Sequence, residues 1–474
     1  MKSCKLMLLT LGLVAFALAG VVRAAEAAGE TSATSLETIE QEAVSLLNEY
    51  LRVDTTNPPG NEIKAAQFFK DIFDREGIEA QIIEAAPGRG NIYARLKGDG
   101  SEKAIVLMNH MDVVPADRRY WSVDPFGGVV KDGYIWGRGA LDMKGMGIVE
   151  LMAMLALKRQ GIPLKSDIIF LGVADEEAGG AMGAGFMVKE HFDLLRNASI
   201  VLNEFNFIAV GDDGKVRYYG VEAAQKTPLW LKLTATGTPG HGSVPRSDSA
   251  VNKLIAALHR IANYQTPLKV EPVVQTFYVD TADLEPSGER RQRLKDLKAS
   301  LQDPAFAAEF TKNLRANAEV RNTISITVLE GSNKVNVIPP QASAQLDVRL
   351  LPSENPQQFI NELRNVIGDE SINIEPILSF APSASPTDSE FFKALQQVAN
   401  NHDPGARITT PLVVGFTDCH YFREKGIPCY GFMPFKLTEK EAALLHGNDE
   451  RLSVDNVKFG TRVMYEIVRE LAAQ

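Results

Sequence analysis

The chain has 474 residues, of which 45% are hydrophobic and 23% are charged, a composition typical of globular proteins with a sizeable core. Fifty lysines and arginines stand against sixty aspartates and glutamates, so the formal net charge is -10. We therefore expect no broad basic face and no nucleic-acid or membrane partner. The length favours two or three domains.

The first residues predict a secretory signal peptide. Lys2 and Lys5 precede an apolar run over residues 6–20, and small residues follow around Ala24. About 15 apolar residues are fewer than the roughly 20 that a membrane-spanning helix needs. We therefore expect residues 1–24 to be removed and the mature chain to be periplasmic or secreted.

The expected mature chain keeps two cysteines, Cys419 and Cys429. In an oxidising compartment they could pair and close a short loop, and the alternative is two free buried thiols. The spacing leaves both alternatives open, because a bridge requires the two Cα atoms to approach within about 7 Å.

Helical and strand-like patterns alternate in the first part of the expected mature chain. Apolar residues at helical spacing predict helices over 36–52 and 62–76, and a further helix begins near Lys144. Short apolar runs predict strands over 80–83, 91–96, 104–109, 168–173 and 200–203. Because these strands are apolar on both sides, we predict an α/β sheet covered by helices on both faces.

After residue 221 the strands alternate between apolar and polar residues, which predicts a separate α+β unit with a half-exposed sheet. The alternating strands cover 229–236, 322–329 and 342–350, with an amphipathic helix over 249–262 and a highly charged helical region over 280–320. From Pro356 the earlier alternation resumes. We therefore predict one larger domain, residues 31–221 and 353–474, into which residues 222–352 are inserted.

Carboxylates and histidines follow several of the predicted strands, where α/β proteins bind ligands. Each motif alone has a simpler interpretation, such as a histidine bonded to a loop carboxylate or acids in the first turn of a helix. Together they are typical of ligands for zinc, or for manganese or cobalt, because they combine imidazole and carboxylate groups without a thiolate. The set is His110, Asp112, Asp142, Glu176, Glu177, Glu204 and His446.

The same motifs, taken in order, resemble those of the dinuclear zinc peptidases, the family of aminoacylases, carboxypeptidase G, carboxypeptidase S, carnosinases and succinyl-diaminopimelate desuccinylases. The similar segments are 110–112, 139–145, 175–177, 203–204, 237–245, 336–339 and 446–447, which span nearly the whole expected mature chain. The resemblance implies a zinc-peptidase sheet covered by helices, with the inserted unit as a lid or dimerisation domain.

The resemblance also implies two Zn²⁺ ions per chain, with Co²⁺ or Mn²⁺ as alternatives. Asp142 would bridge the two ions. His110 and Glu204 would complete one site, and Glu177 and His446 would complete the other.

Two further residues beside the metals receive roles from the resemblance. Glu176 would be the general base that takes a proton from a water shared by the metals and passes it to the leaving nitrogen. Asp112 would accept the second ring N–H of His110 and so fix its tautomer.

The inserted unit would supply the substrate contacts. By resemblance, His241 donates to the developing oxyanion, in many relatives from the partner subunit, while Asn336 and Arg349 bind a substrate carboxylate. The residues alone leave simpler interpretations open: His241 as a turn residue and Arg349 as an exposed strand charge.

We therefore predict an exported metallopeptidase or amidohydrolase that cleaves dipeptides, short peptides or N-acyl amino acids bearing a free carboxylate, and that can form a homodimer through the inserted unit. One alternative is a periplasmic amino-acid- or peptide-binding protein without catalysis. The other is an enzyme of the same fold that condenses N-acyl amino acids.

Overall fold

The computed structural model describes residues 34–474, so the predicted signal peptide lies outside the described residues. The fold is built around two large sheets, and each has its own hydrophobic core. Within residues 34–474 no helix combines the length and apolar character needed to cross a membrane.

The larger sheet has eight strands in the order β1-β2-β6-β3-β7-β8-β15, and β16 pairs with β7. The pairs of β3 with β6 and with β7, and the pair of β16 with β7, are parallel, so their carboxyl ends meet at one edge. The strands are β1 (Glu79–Ala86), β2 (Arg89–Leu96), β3 (Ala104–His110), β6 (Ile168–Val173), β7 (Ala198–Val210), β8 (Val216–Gly220), β15 (Ile408–Thr409) and β16 (Cys429–Leu437).

Helices cover both faces of this sheet, as predicted, because successive side chains of its central strands point to opposite faces. In β3, Ile105 and Leu107 pack in one core, whereas Val106 and Met108 pack in the other. The helices around this sheet are α1 (Leu36–Tyr50), α2 (Ile63–Glu76), α3 (Lys144–Arg159), α4 (Ala184–Glu190), α12 (Glu390–His402), α13 (Cys419–Arg423), α14 (Glu439–Ala442) and α15 (Val454–Ala472). The predicted fold class is confirmed.

The smaller sheet is antiparallel, with the order β11-β13-β9-β14. Its strands are β9 (Thr227–Thr236), β11 (Thr323–Glu330), β13 (Gln341–Leu350) and β14 (Ile372–Ser379), and two helices pack on it, α5 (Ala250–Asn263) and α11 (Pro356–Ile367). The structure thus extends this unit to about Ser379, beyond the predicted end at residue 352. The alternation after Pro356 gave no sign of this, because α11 and β14 have the same patterns as elements of the larger sheet.

The charged region of the inserted unit forms five short helices with a core of their own, which includes Leu294 and Phe310. They are α6 (Pro272–Thr281), α7 (Gly288–Lys295), α8 (Leu297–Ser300), α9 (Pro304–Phe310) and α10 (Leu314–Glu319). Small strands complete the fold: β4 (Val129–Lys131) and β5 (Tyr134–Trp136) pair with β17 (Arg451–Ser453), and β10 (Gly240–His241) pairs with β12 (Val337–Ile338).

The chain passes between the two large sheets twice, and the two crossings lie side by side. Ala224 of the first crossing forms a β-bridge with Ala384 of the second. The buried guanidinium of Arg423 joins them, because it donates to Glu222 in the first crossing and to Ser385 in the second. The orientation of the inserted unit is therefore fixed by contacts between neighbouring segments rather than by one connecting loop.

Cys419 and Cys429 form a disulfide bond, with their Cα atoms 5.3 Å apart. Of the two alternatives that the sequence left open, the structure thus has the bridge. It joins the start of α13 to the start of β16, and neither residue is exposed.

Candidate metal centre

Five segments bring the predicted ligands to the carboxyl edge of the larger sheet. His110 ends β3, and Glu177 lies in a 3-10 turn that follows β6. Glu204 lies within β7, directly before Phe205 and Asn206, which both have positive φ angles. The remaining two, Asp142 and His446, lie in turns, one before α3 and the other after α14.

Glycine allows a close approach of strands at this edge. A Cβ atom on Gly431 of β16 would lie 1.7 Å from the carbonyl oxygen of Glu204, so only glycine fits beside this ligand.

Asp142 stands between the two histidines. Its Oδ1 lies 3.0 Å from Nε2 of His110, and its Oδ2 lies 3.0 Å from Nε2 of His446. Each histidine has a second carboxylate near the same nitrogen: Glu204 at 3.5 Å from His110 and Glu177 at 3.2 Å from His446. This is the pairing of ligands that the resemblance implies, with one carboxylate oxygen of Asp142 directed at each half of the site.

Two groups of ligand atoms are close enough to share an ion. One contains His110, Asp142 and Glu177, and the other contains His110, Glu176 and Glu204. Glu176 is therefore within reach of an ion as well as of a reacting water, so its position alone is compatible with a ligand and with a base.

Burial and mutual repulsion change the pKa values of these acids. Burial, followed by the charge of Glu204, raises the pKa of Glu176 well above its usual value. Burial likewise raises the pKa of Glu204 to about 7, and burial together with the charge of Asp142 raises that of Glu177. Burial would also raise the pKa of Asp142, but hydrogen bonds from the two histidines outweigh it and lower the pKa.

The pKa values of the two histidines are also raised, but by the neighbouring carboxylates and not by burial. Burial would lower the pKa of His110, but the charge of Glu204 and hydrogen bonds to neighbouring carboxylates raise it well above its usual value. Hydrogen bonds to Asp142 and Glu177 raise the pKa of His446 to about 10. Without a metal, the cluster thus retains protons that compensate its negative charge.

The donor set fits divalent cations. Oε1 of Glu177 and Oε1 of Glu204 are buried and have no hydrogen-bond partner within residues 34–474. Buried carboxylate oxygens without partners are costly, and coordination to a cation would satisfy them. Imidazole nitrogens and carboxylate oxygens without thiolate are suited to zinc, cobalt or manganese.

Asp112 is buried beside His110, but its strongest contacts differ from the expected one. Nδ1 of His110 lies 3.0 Å from the backbone carbonyl of Asp112 and 3.5 Å from its Oδ1. The Asp112 carboxylate instead accepts the backbone N–H groups of Glu176 and Glu177, at 3.1 and 3.2 Å, and the side-chain amide of Asn57 at 2.8 Å. Asp112 therefore holds the turn that carries two predicted site residues, while its main chain orients the histidine.

His241 and Asn336 come together on the inserted unit. His241 pairs with Val337 across β10 and β12, and the N–H of Gly242 donates to the carbonyl of Asn336. Nδ1 of His241 accepts the backbone N–H of Ser243, which leaves Nε2 as the ring donor. Within residues 34–474 no hydrogen bond joins either residue to the metal-ligand cluster, and both side chains are exposed.

Arg349 is neither exposed nor free of partners. Its guanidinium pairs with Asp347 through two hydrogen bonds, of 2.6 and 3.1 Å. It also lies over the rings of Trp230 and Phe416, 5.8 and 5.3 Å from their centroids. A substrate carboxylate would thus have to compete with Asp347 or share the guanidinium with it.

Three residues near the candidate metal centre had no predicted role. Asp418 is buried, and neither of its carboxylate oxygens has a hydrogen-bond partner in the described part of the chain. Burial raises its pKa well above the usual value. Arg138 and Glu450 form a buried ion pair next to the ligand turns. For Arg138 and Glu450, the sequence offered one signal, namely that Arg138 lies near Asp142 and Glu450 lies near His446 along the chain.

Comparisons with known proteins extend these observations. A family model described as Peptidase family M20/M25/M40 matches residues 106–470. Aminoacylase-1 from Sus scrofa is 29% identical over 442 residues, which cover 92% of this chain and 96% of the relative. N-fatty-acyl-amino acid synthase/hydrolase PM20D1 from Homo sapiens is 27% identical over 413 residues, 85% of this chain and 80% of the relative. The fold matches the crystal structure of the M20 family metallo-carboxypeptidase Sso-CP2 from Sulfolobus solfataricus with a TM-score of 0.67 and 21% identity, covering 90% of this chain and 98% of that one.

Proposed function

The chain belongs to peptidase family M20/M25/M40 and is a metallopeptidase or aminoacylase-type amidohydrolase, and from this premise we propose that it hydrolyses the amide bond of N-acyl amino acids, dipeptides or short peptides with a free carboxylate. The observation that carries the proposal is the position of Asp142 between two histidines, each with a further carboxylate beside it.

We propose two zinc ions as the cofactor, held through Asp142 and the histidine and carboxylate pairs on either side of it. Divalent cations bound there would supply Lewis acidity, which polarises an amide carbonyl and makes water more acidic. Glu176 belongs to the same cluster of side chains, but it is not among the five proposed ligands.

We assign Glu176 as the general base. Its buried position raises its pKa, so it can take a proton from water and later release it to the leaving nitrogen. The Asp112 carboxylate holds the backbone of Glu176, which keeps this base in place during the reaction. A base beside the ligands favours catalysis over the alternative of a binding protein, which has no use for one.

The inserted unit would recognise the substrate. His241 and Asn336 lie on paired strands with exposed side chains, so they can reach a substrate that bridges the two units. Arg349 would bind the carboxylate, sharing its guanidinium with Asp347 or exchanging partners.

The central experiment measures release of free amino acid from a panel of N-acyl amino acids and dipeptides by purified, zinc-loaded protein. Glu176→Gln should lower kcat by about 10²- to 10⁴-fold, the usual contribution of a general base. Its zinc content should remain at two per chain, because a base is not a ligand. Loss of one zinc from Glu176→Gln would instead make Glu176 a ligand.

The matched control is Glu190→Gln, which alters an exposed acid that pairs with Lys189 and should leave turnover unchanged. Substrates with the carboxylate converted to an amide should be cleaved more slowly, and Arg349→Met should remove this discrimination. Equal turnover of acid and amide by the wild-type protein would refute the assignment of Arg349.

Export and dimerisation are further parts of the proposal. Export is supported by the lysines and apolar run of residues 1–24, and N-terminal sequencing of the mature protein tests it. A homodimer is supported by the edge strand β11, where Ile326 and Leu329 are 37% and 66% exposed. Light scattering coupled to gel filtration would show whether the protein is a dimer in solution.

A further inference from the structure

Glu450 has a carboxylate that is completely buried and accepts four hydrogen bonds. Its Oε1 accepts the backbone N–H groups of Leu141 and Asp142, at 2.7 and 3.1 Å. Its Oε2 accepts the backbone N–H of Gly139 at 3.2 Å and Nη1 of Arg138 at 2.5 Å. Every partner of this carboxylate therefore lies in the turn that ends at the bridging ligand.

Arg138 extends the same network to the second ligand turn. Its Nη2 donates to the backbone carbonyl of His446 at 3.2 Å. Arg138 is 2% exposed, and its guanidinium lies over the ring of Trp121, 5.3 Å from the ring centroid. The ion pair of Arg138 and Glu450 thus contacts both turns, those of Asp142 and of His446.

Both ligands need such support because neither lies within a helix or strand. His446 has a φ of 59°, a conformation that residues other than glycine adopt only when the surroundings impose it. Pairing of β17 with β5 brings the two turns together, but it makes no hydrogen bond to Asp142 or His446. The ion pair supplies those bonds: one to the N–H of Asp142 and one to the carbonyl of His446.

A fully buried ion pair is a poor source of stability, because desolvation of two charges offsets most of their attraction. Apolar residues of similar volume in place of the pair would stabilise the fold to a similar extent. They could not, however, accept three backbone N–H groups and donate to a carbonyl at fixed positions, which only this pair of planar, charged groups does.

We propose that Glu450 and Arg138 are positioning residues that hold Asp142 and His446 at the separation at which both can bind the metal ion that they would share. The inference rests on the proposed dinuclear centre, although it does not depend on the identity of the substrate. Neither residue touches the reacting groups; they act through the main chain of the two ligands.

The test compares Glu450→Gln with Glu319→Gln. Glu319 is also buried, at 3% exposed, and accepts hydrogen bonds from Tyr278 and Arg315, but it lies in the inserted unit and bonds to neither ligand turn. Zinc affinity is measured on the metal-free proteins by competition with a chromophoric chelator, together with the melting temperature of each metal-free protein. No substrate is needed.

We expect Glu450→Gln to weaken zinc binding about 10- to 100-fold, the usual effect of removing a residue that orients ligands. Glu319→Gln should bind zinc as the wild type does, even if the melting temperature of its metal-free form falls as far as that of Glu450→Gln. Wild-type zinc affinity in Glu450→Gln, or equal losses in both variants, would overturn the proposal.

Arg138→Lys gives a second test if Glu450→Gln does not fold. Lysine keeps the positive charge beside Glu450 but lacks the planar fork that reaches the carboxylate and the His446 carbonyl together. We expect weaker zinc binding and a changed absorption spectrum of the cobalt-substituted protein, and an unchanged spectrum with wild-type affinity would overturn the proposal. If the wild type binds zinc tightly but cleaves no amide, the proposed substrate class fails while this inference stands.

Discussion

Replacement of Arg423 by methionine should cost the protein much of its stability. The side chain is buried, and it donates to Oγ of Ser385 at 3.0 Å, to Glu222 at 2.6 Å and to the carbonyl of Cys429 at 2.7 Å. The carbonyl of Cys429 also accepts the hydroxyl of Ser385 at 2.7 Å, so it keeps a partner in the variant. The main cost is therefore the carboxylate of Glu222, which is completely buried and would have no cation beside it.

Removing one partner of a buried ion pair typically costs about 3–5 kcal/mol, and we expect a loss of this size for Arg423→Met. The assay is urea unfolding followed by far-UV circular dichroism. A double variant with Glu222→Leu added should recover at least half of the loss, because it removes the buried charge. Asp212→Ala is the control, since its pair with Lys440 is almost fully exposed and contributes little.

Two results would refute this reasoning. In one, Arg423→Met unfolds at the wild-type urea concentration, which would mean that the fold tolerates the Glu222 side chain without its partner at no cost. In the other, the double variant is no more stable than Arg423→Met, which would mean that packing of the arginine stem, rather than its charge, stabilises the crossing.

Further predictions concern the metal centre and the disulfide bond. Because the pKa of Glu204 is about 7 and that of His446 about 10, zinc must displace protons when it binds. Zinc affinity should therefore rise between pH 6 and 8, by up to about tenfold per pH unit for each proton released. Calorimetry in buffers of different ionisation enthalpy would measure the proton release, and a zinc affinity that does not change with pH would contradict the prediction. In the metal-free protein, the raised pKa of His446 stabilises the fold fully at pH values below 6.5, the ordinary histidine pKa, and this contribution should be lost as the pH rises toward 10. Urea unfolding at several pH values would measure the loss. Asp112→Ala should lower kcat about 10- to 100-fold in the amino-acid release assay, because the turn of Glu176 and Glu177 loses its acceptor; wild-type turnover would show that the turn holds itself. Replacing Cys419 by alanine should cost about 2–3 kcal/mol, as expected for a short closed loop, and a reducing agent should shift the urea midpoint of the wild type alone.

The larger sheet and the clustering of the proposed metal ligands could be predicted because each has a local signal. Apolar runs of strand length identified β3 and β6 within a residue of their observed ends. Parallel strands bring their carboxyl ends to one edge, so acids and histidines placed directly after strands meet there. His110 is the last residue of β3 and Glu177 lies in the turn that follows β6, and the structure brings them to the same site.

Other features depend on contacts between distant segments and have no local signal. Helix α11 has an apolar face that could pack on either sheet, so its place on the smaller one could not be deduced. The pairing of Arg349 with Asp347 was equally hidden, since alternation places both residues on one face without showing whether they bond. Glu450 accepts main-chain groups more than 300 positions away, at Leu141 and Asp142.

The long span of the proposed metal ligands along the chain affects when the protein can acquire its metal. They extend from His110 to His446, and the strand that lies beside Glu204, β16, begins only at Cys429. A growing polypeptide therefore lacks a proposed ligand for one ion, and the strand beside another proposed ligand, until synthesis has passed residue 446. Occupation of both proposed metal sites would therefore follow synthesis of residue 446. Tightly bound zinc would mark polypeptides that extend past His446 and have folded their larger sheet.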